Sequence, residues 1–352
     1  MNRRELLLVS GALSAAAVLP SGVAAALPKP PSAAEWEKVL AAARKEGAAG
    51  LYSSGIARIE EPRMKMFQER YGFRVNYARP GGGEMVLKRL EAEIAAGRVQ
   101  TDVCTITDGN LAIYAVKQGW TQPVSVPNIA QLAPAFRGGD DHLIPLAAIT
   151  LPIVYNPKAI ARSDLPRSYA DLADPKYKGK VLFGAPENAN TTLAWIKAMV
   201  DRYGWGYVEK LRVNEAAEMR LQAEAVLAVA RGERPLAVAA HPWAYFHNQQ
   251  GANLEIVWPT EGVVATQACV MMLKGAPHPN AARVFINEVM SGAWQASTMP
   301  YSGAYAAAQG VPSPPGLPPL PELRLIVHDP DQFLAQRAEL LARWRKIMVS
   351  RG

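Results

Sequence analysis

Two β-rich stretches constrain this chain more than any other feature. Ile149 to Asn156 reads Ile-Thr-Leu-Pro-Ile-Val-Tyr-Asn, and Glu261 to Leu273 reads Glu-Gly-Val-Val-Ala-Thr-Gln-Ala-Cys-Val-Met-Met-Leu. The second is too rich in β-branched and small apolar residues to sit on a surface. Each stretch is flanked by segments that alternate between strand and helix character, so the pair reads as two extended crossings between two α/β lobes. Two crossings leave one cleft, and function then belongs to the loops that face it.

At 352 residues the chain exceeds what one hydrophobic core usually fills. The expected division is a cleaved leader over 1–26, a first lobe over 27–150, a second over 151–260, and a return to the first over 261–352. Arg3-Arg4, an apolar run from Leu6 to Val23 and Ala24-Ala25-Ala26 have the order of a secretory signal, with cleavage after Ala26. The paired arginines also resemble a twin-arginine signal. The run is short, Ala-rich and followed by Leu27-Pro28-Lys29-Pro30-Pro31, which argues against a membrane anchor. A periplasmic location follows.

The net charge is +7, falling to +6 once Arg3, Arg4 and Glu5 are removed. Lys and Arg are scattered through helical segments without interleaved aromatics, so nucleic acid is not an expected partner. Cys104 and Cys269 have neither zinc nor redox spacing. Each lies in an apolar β-like run, and adjacent strands fit disulfide geometry poorly, so two buried thiols are expected.

Along the chain, Ser32-Ala-Ala-Glu35 forms a capping box ahead of a helix that Gly47 stops. Strands at 51–53, 73–77 and 102–107 then alternate with helices at 62–71, 84–96 and 110–118. Such alternation demands a mainly parallel sheet with helices on its faces, and ligands bind beyond the carboxyl ends of its strands. The pattern restarts after the first crossing, with strands at 180–183, 235–240 and 254–258 and helices at 191–203, 207–211, 219–231 and 242–250. After the second, a helix over 279–290, a Pro-rich spacer over 312–321 and a final amphipathic helix complete the chain.

No catalytic constellation is present: there is no His-Glu-x-x-His, Gly-x-Ser-x-Gly, phosphate loop or Cys-x-x-Cys. The candidates are instead polar loops at helix starts. Ser53 and Ser54 follow the first strand, Gly82, Gly83 and Glu84 the second, and Asp108 the third. Asn188, Thr191 and Thr192 open a helix of the second lobe, where free N–H groups attract anions. His241, Trp243 and Tyr245 stand where a strand gives way to a helix, suited to stacking on an organic ligand. Asp108 and Glu84 suit a ligand ammonium group. Neither a cofactor nor a bound metal is expected.

Three stretches carry a family resemblance. Trp36 to Tyr52, Asp171 to Lys180 (Asp-Leu-Ala-Asp-Pro-Lys-Tyr-Lys-Gly-Lys), and Ala276 to Ala282 followed by Ser291-Gly-Ala-Trp-Gln295 resemble periplasmic solute-binding proteins of ABC importers. The subgroup includes ferric-ion, polyamine and phosphonate binders. The resemblance implies a two-lobed type II binding-protein fold, monomeric, that closes on a solute and docks to a permease in the inner membrane. Ferric binders carry a tandem tyrosine at the position matched by His241-Pro242-Trp243, and an Arg where this chain reads Ala147-Ala148-Ile149-Thr150. Those departures disfavour direct iron binding. The expected ligand is a small anionic organic solute: a carboxylate, phosphonate or phosphate ester. A ferric ion or iron chelate, a secreted enzyme on the same plan and a signalling receptor are the alternatives.

Overall fold

The computed structural model describes residues 28–137 and 141–348. The leader and its cleavage site at Ala26 lie outside the described residues. Helix α1 (Ala33–Glu46) opens on the capping box: the Glu35 N–H donates to Ser32 Oγ at 3.3 Å and the Ser32 N–H to Glu35 Oε2 at 2.8 Å. There follow β1 (Ala48–Ser53), α2 (Ala57–Tyr71), β2 (Arg74–Ala78), α3 (Gly83–Ala95), β3 (Val103–Ile106), α4 (Gly109–Lys117), β4 (Thr121–Gln122) and β5 (Ile144–Thr150). Strand β1 lies between β2 and β3, parallel to both, because the intervening helices are the crossovers that parallel neighbours require.

Leu151 and Pro152 carry the chain out of this sheet into β6 (Ile153–Tyr155) of a second one. Its remaining elements are β7 (Val181–Gly184), α5 (Asn190–Tyr203), α6 (Trp205–Val213), β8 (Ala217–Met219), α7 (Gln222–Ala230), β9 (Leu236–Val238), α8 (His241–Asn248) and β10 (Glu255–Val257). The strand order is β10-β6-β9-β7-β8, with β7 parallel to β8 and β9 and the other pairs antiparallel. Strand β11 (Val263–Leu273) then returns to the first sheet, followed by α9 (Pro279–Val289), α10 (Gly292–Ser302), β12 (Tyr305–Ala306), β13 (Leu325–Ile326) and α11 (Pro330–Met348). The first sheet runs β12-β5-β11-β3-β1-β2, with β4 and β13 also paired to β11. Both sheets are mixed and flanked by helices, which makes the molecule a two-lobed α/β protein.

The two crossings lie side by side. Strands β5 and β11 are antiparallel from Thr150 opposite Ala265 to Ile144 opposite Val270, with a bulge between Ala268 and Cys269. The Leu151 N–H donates to the Val264 carbonyl at 2.8 Å, so the ladder continues to the point where the chain leaves the sheet. Cys104 and Cys269 are buried free thiols on neighbouring strands, opposite Met271 and Ile106 respectively.

Local reading failed where tertiary pairing intervened. Helix α2 begins at Ala57, so Pro62 sits inside it rather than at its first turn. The helix expected over 219–231 is preceded by β8, because Ala217 to Met219 pair with Leu182 to Gly184. Beyond the Pro-rich spacer, Leu325 and Ile326 add a short strand to β11. The apolar stripe of α11, assigned with 261–352 to the first lobe, buries Phe333, Leu340 and Trp344 in the core of the second, among Phe183, Trp195 and Tyr169. Among the described residues no helix is long and apolar enough to cross a membrane.

Candidate functional site

The lobes touch at their tips. Asp108 ends the β3 loop and caps α4, its Oδ1 accepting from the Asn110 N–H at 3.0 Å; its Oδ2 accepts from Asn190 Nδ2, at the start of α5 in the other lobe, at 2.6 Å. Asp108 is 2% exposed, and burial pushes its carboxyl up to about 6 against the opposing pull of Asn190, Asn110 and the Arg337 charge. Beside it a Cβ on Gly82 would stand 3.2 Å from the Asn188 carbonyl oxygen, so the β2–α3 loop and the second lobe are in contact there. Arg337 of α11 bridges both sides, donating to Glu84 and, at 3.4 Å, to Asn190 Oδ1.

A second joint lies nearer the crossings. His241 is fully buried; the Thr150 N–H donates to its Nδ1 at 3.1 Å, and its Nε2 lies 2.8 Å from the Gly303 carbonyl oxygen. Those partners are satisfied by a neutral ring protonated on Nε2, and burial lowers the imidazole to about 4. Gly303 has a left-handed backbone (φ 64°), and a Cβ there would stand 2.5 Å from the Tyr245 ring of α8. Gly303→Ala is therefore expected to force α8 away and to add about 1–2 kcal/mol of backbone strain. An increased radius of gyration in X-ray scattering of the unliganded protein would report it.

Behind this joint a cavity of about 150 Å³ lies between α2, α10 and the two crossing strands. Ser53, Thr105 and Thr107 line it from the ends of β1 and β3, Ile149 from β5, Cys269 from β11 and Pro242 from the second lobe. Most of the remaining wall is apolar, including Ile59, Leu146, Phe285 and Trp294, and into it project Glu60 and Arg63 of α2. Their side chains are 17% and 16% exposed and joined at 3.1 Å through Arg63 Nη1 and Glu60 Oε1. Burial raises the Glu60 carboxyl and lowers the Arg63 guanidinium, each opposed by the other's charge. Arg63 Nε is buried without a hydrogen-bond partner.

The expected site residues thus fall into distinct settings. Ser53 lines the cavity, while Ser54 Oγ accepts from the Thr107 N–H at 3.0 Å and ties two loops together. Gly82, Asp108 and Asn188 are at the lobe contact, and Glu84 is paired with Arg337 and Lys88. Gly83 packs tightly, a Cβ there meeting Ile106 at 2.8 Å. The Thr191 and Thr192 hydroxyls both accept from Gln222 Nε2 within the second lobe, at 3.0 and 2.7 Å. Trp243 packs against buried residues of α8's surroundings and edge-on to Phe246. Sequence reading missed Glu60, Arg63 and Arg337. An i,i+3 pair of opposite charges resembles any solvated helix face, and a helix expected to start at Pro62 contains Arg63 but leaves Glu60 outside it.

Among the described residues no group of three or more His, Cys, Asp or Glu side chains could hold a metal ion. A family model described as "Bacterial extracellular solute-binding protein" matches residues 100–321. The chain belongs to that family. This solute-binding protein is 26% identical over 328 residues to an uncharacterized protein of Haemophilus influenzae, covering 87% of this chain and 92% of that one. Iron-bound HitA from Pseudomonas aeruginosa superposes with a TM-score of 0.76 at 23% identity, covering 85% of this chain and 99% of that one. The periplasmic binding protein AfuA from Actinobacillus pleuropneumoniae, with exogenous fructose-6-phosphate bound, gives 0.76 at 22% identity, covering 86% and 99%. At those identities the two structures share the fold. The two-lobed type II binding-protein fold expected from the sequence is thus the fold of this chain.

Proposed function

We propose that this protein is the periplasmic solute-binding component of an ABC importer and closes on a small anionic organic solute. The observation that carries the reading is the direct bond from Asn190 to Asp108, which joins the tips of lobes connected by two paired crossings. Bending about those crossings would open the cleft, and closure would bring the tips together. After removal of residues 1–26 the first lobe comprises 27–150 and 261–329 around the first sheet, and the second 151–260 completed by α11. Arg63 and the Ser53, Thr105 and Thr107 hydroxyls, which line the cavity beside the crossings, favour an anion. Iron, which HitA holds, would as the ferric ion need several hard oxygen donors together.

Native mass spectrometry of freshly purified protein tests this directly, since a co-purifying organic acid or phosphate ester supports it. A protein that retains no solute, and does not contract with any of a panel of carboxylates, phosphonates, phosphate esters and ferric citrate, would refute it. Asn190→Ala should remove a charge-assisted bond made when the lobes meet. The solute so identified should then bind on the order of ten- to a hundredfold more weakly by titration calorimetry.

A further inference from the structure

Resting on the solute-binding reading, we infer that the cavity behind the His241 joint holds a small monocarboxylate with a compact apolar body, taken by the free edge of Arg63. Three observations converge on that ligand. The first is the orphaned donor: Arg63 Nη1 is engaged by Glu60, whereas Nε is buried and unpartnered. A buried donor without an acceptor is costly, and a native protein that keeps one has a use for it. Nε and Nη2 form the side edge of the guanidinium fork, which matches the two oxygens of a carboxylate.

The second observation is size. The cavity is about 150 Å³, and apolar cavities of roughly this volume take up benzene. A six-membered ring or a branched chain of five or six carbons fills it, and a hexose phosphate does not. The third is the wall. Ile59, Leu146, Ile149 and Phe285 offer apolar contact to the body of such a ligand, while Ser53, Thr105 and Thr107 keep hydroxyls at the strand ends.

Glu60 has its own role in this arrangement. It holds Arg63 by one edge and is itself held against Gly55, where a Cβ would stand 2.8 Å from Glu60 Oε1. The guanidinium lines the cavity, held by Glu60 through Nη1 and with its Nε left to a ligand. Because Pro242 of the second lobe and the crossing strands β5 and β11 share the wall, a ligand here contacts both lobes at the pivot.

The experiment is calorimetric titration of the full chain, freed of co-purified solute, with benzoate as the probe. Cyclohexanecarboxylate, fructose 6-phosphate, 2-aminoethylphosphonate and ferric citrate run in parallel, with scattering to follow closure. Benzoate is expected to bind once per molecule. Arg63→Gln should weaken that binding at least tenfold, and Ala268→Leu, which adds bulk to the cavity wall from β11, should abolish it. Benzoate affinity unchanged in both variants would overturn the assignment. Closure on the sugar phosphate, the phosphonate or ferric citrate with no response to benzoate would overturn the ligand class while leaving the solute-binding reading intact. Failure of every probe to bind or contract the protein would remove both.

Discussion

Trp344→Ala is expected to lower the unfolding free energy by about 3–5 kcal/mol, the range for truncating a large aromatic side chain in a well-packed core. Trp344 is fully buried, stands edge-on to Phe183 at 6.0 Å, and donates its indole N–H to Glu218. Truncation opens a cavity beside Phe183 and Trp195 and leaves the half-buried Glu218 carboxylate without its donor. The loss should extend beyond packing, since α11 also brings Arg337 to Glu84 and Asn190 and pairs Asp331 with Lys117 of the first lobe. Urea denaturation followed by tryptophan fluorescence measures the first effect, and scattering of the folded variant the second. Arg337→Ala separates the two. A partly exposed pair of this kind contributes up to about 1 kcal/mol to folding, so that variant should unfold near the wild-type midpoint yet show a larger radius of gyration.

The second large effect is a dependence on pH that the wild type conceals. His241 is held neutral, its imidazole lowered to about 4 from an ordinary 6.5. The unfolded chain therefore takes up a proton that the folded one refuses. Stability is full above pH 6.5 and falls as the pH drops towards 4, by about 3 kcal/mol in total. Asp108 acts with the opposite sign: burial raises its carboxyl from 3.8 to about 6, so its ionisation weakens the fold. Lowering the pH from 6 to 3.8 relieves that cost, again by about 3 kcal/mol. The two nearly cancel between pH 4 and 6. Asp108→Asn should expose the His241 loss, its stability relative to wild type falling as the solution is acidified. His241→Gln should do the reverse. Parallel slopes for the three proteins in denaturant melts at pH 4, 5, 6 and 7 would contradict both assignments.

These effects belong to a layer of the structure that local pattern does not encode. The crossings were legible because residues 149–156 and 263–273 are buried on both faces, which leaves long apolar runs that no amphipathic surface element carries. The α1 capping box was legible because its partners are three residues apart. The contacts that set the cleft are of another kind. Asp108 meets Asn190 across 82 residues, and Glu84 meets Arg337 across 253. Gln222 captures the Thr191 and Thr192 hydroxyls, which free helix-start donors had suggested for a ligand. His241 was expected to contact a ligand from its place between strand and helix, and nothing nearby in the sequence reveals that Thr150 and Gly303 enclose it instead. Glu60 and Arg63 escaped because Pro62 looks like a first-turn proline, and a helix interior that tolerates one is set by packing around it.

The position of α11 carries a consequence for how the chain acquires its structure. Phe333, Leu340 and Trp344 complete an interior whose other members, Phe183, Trp195 and Tyr169, come from residues made well over a hundred positions earlier. The first sheet likewise awaits β11 to join β3 to β5. A nascent chain stopped before residue 330 holds every strand of the first sheet but lacks three side chains of the second interior, so the second half cannot finish maturing until the last helix is made.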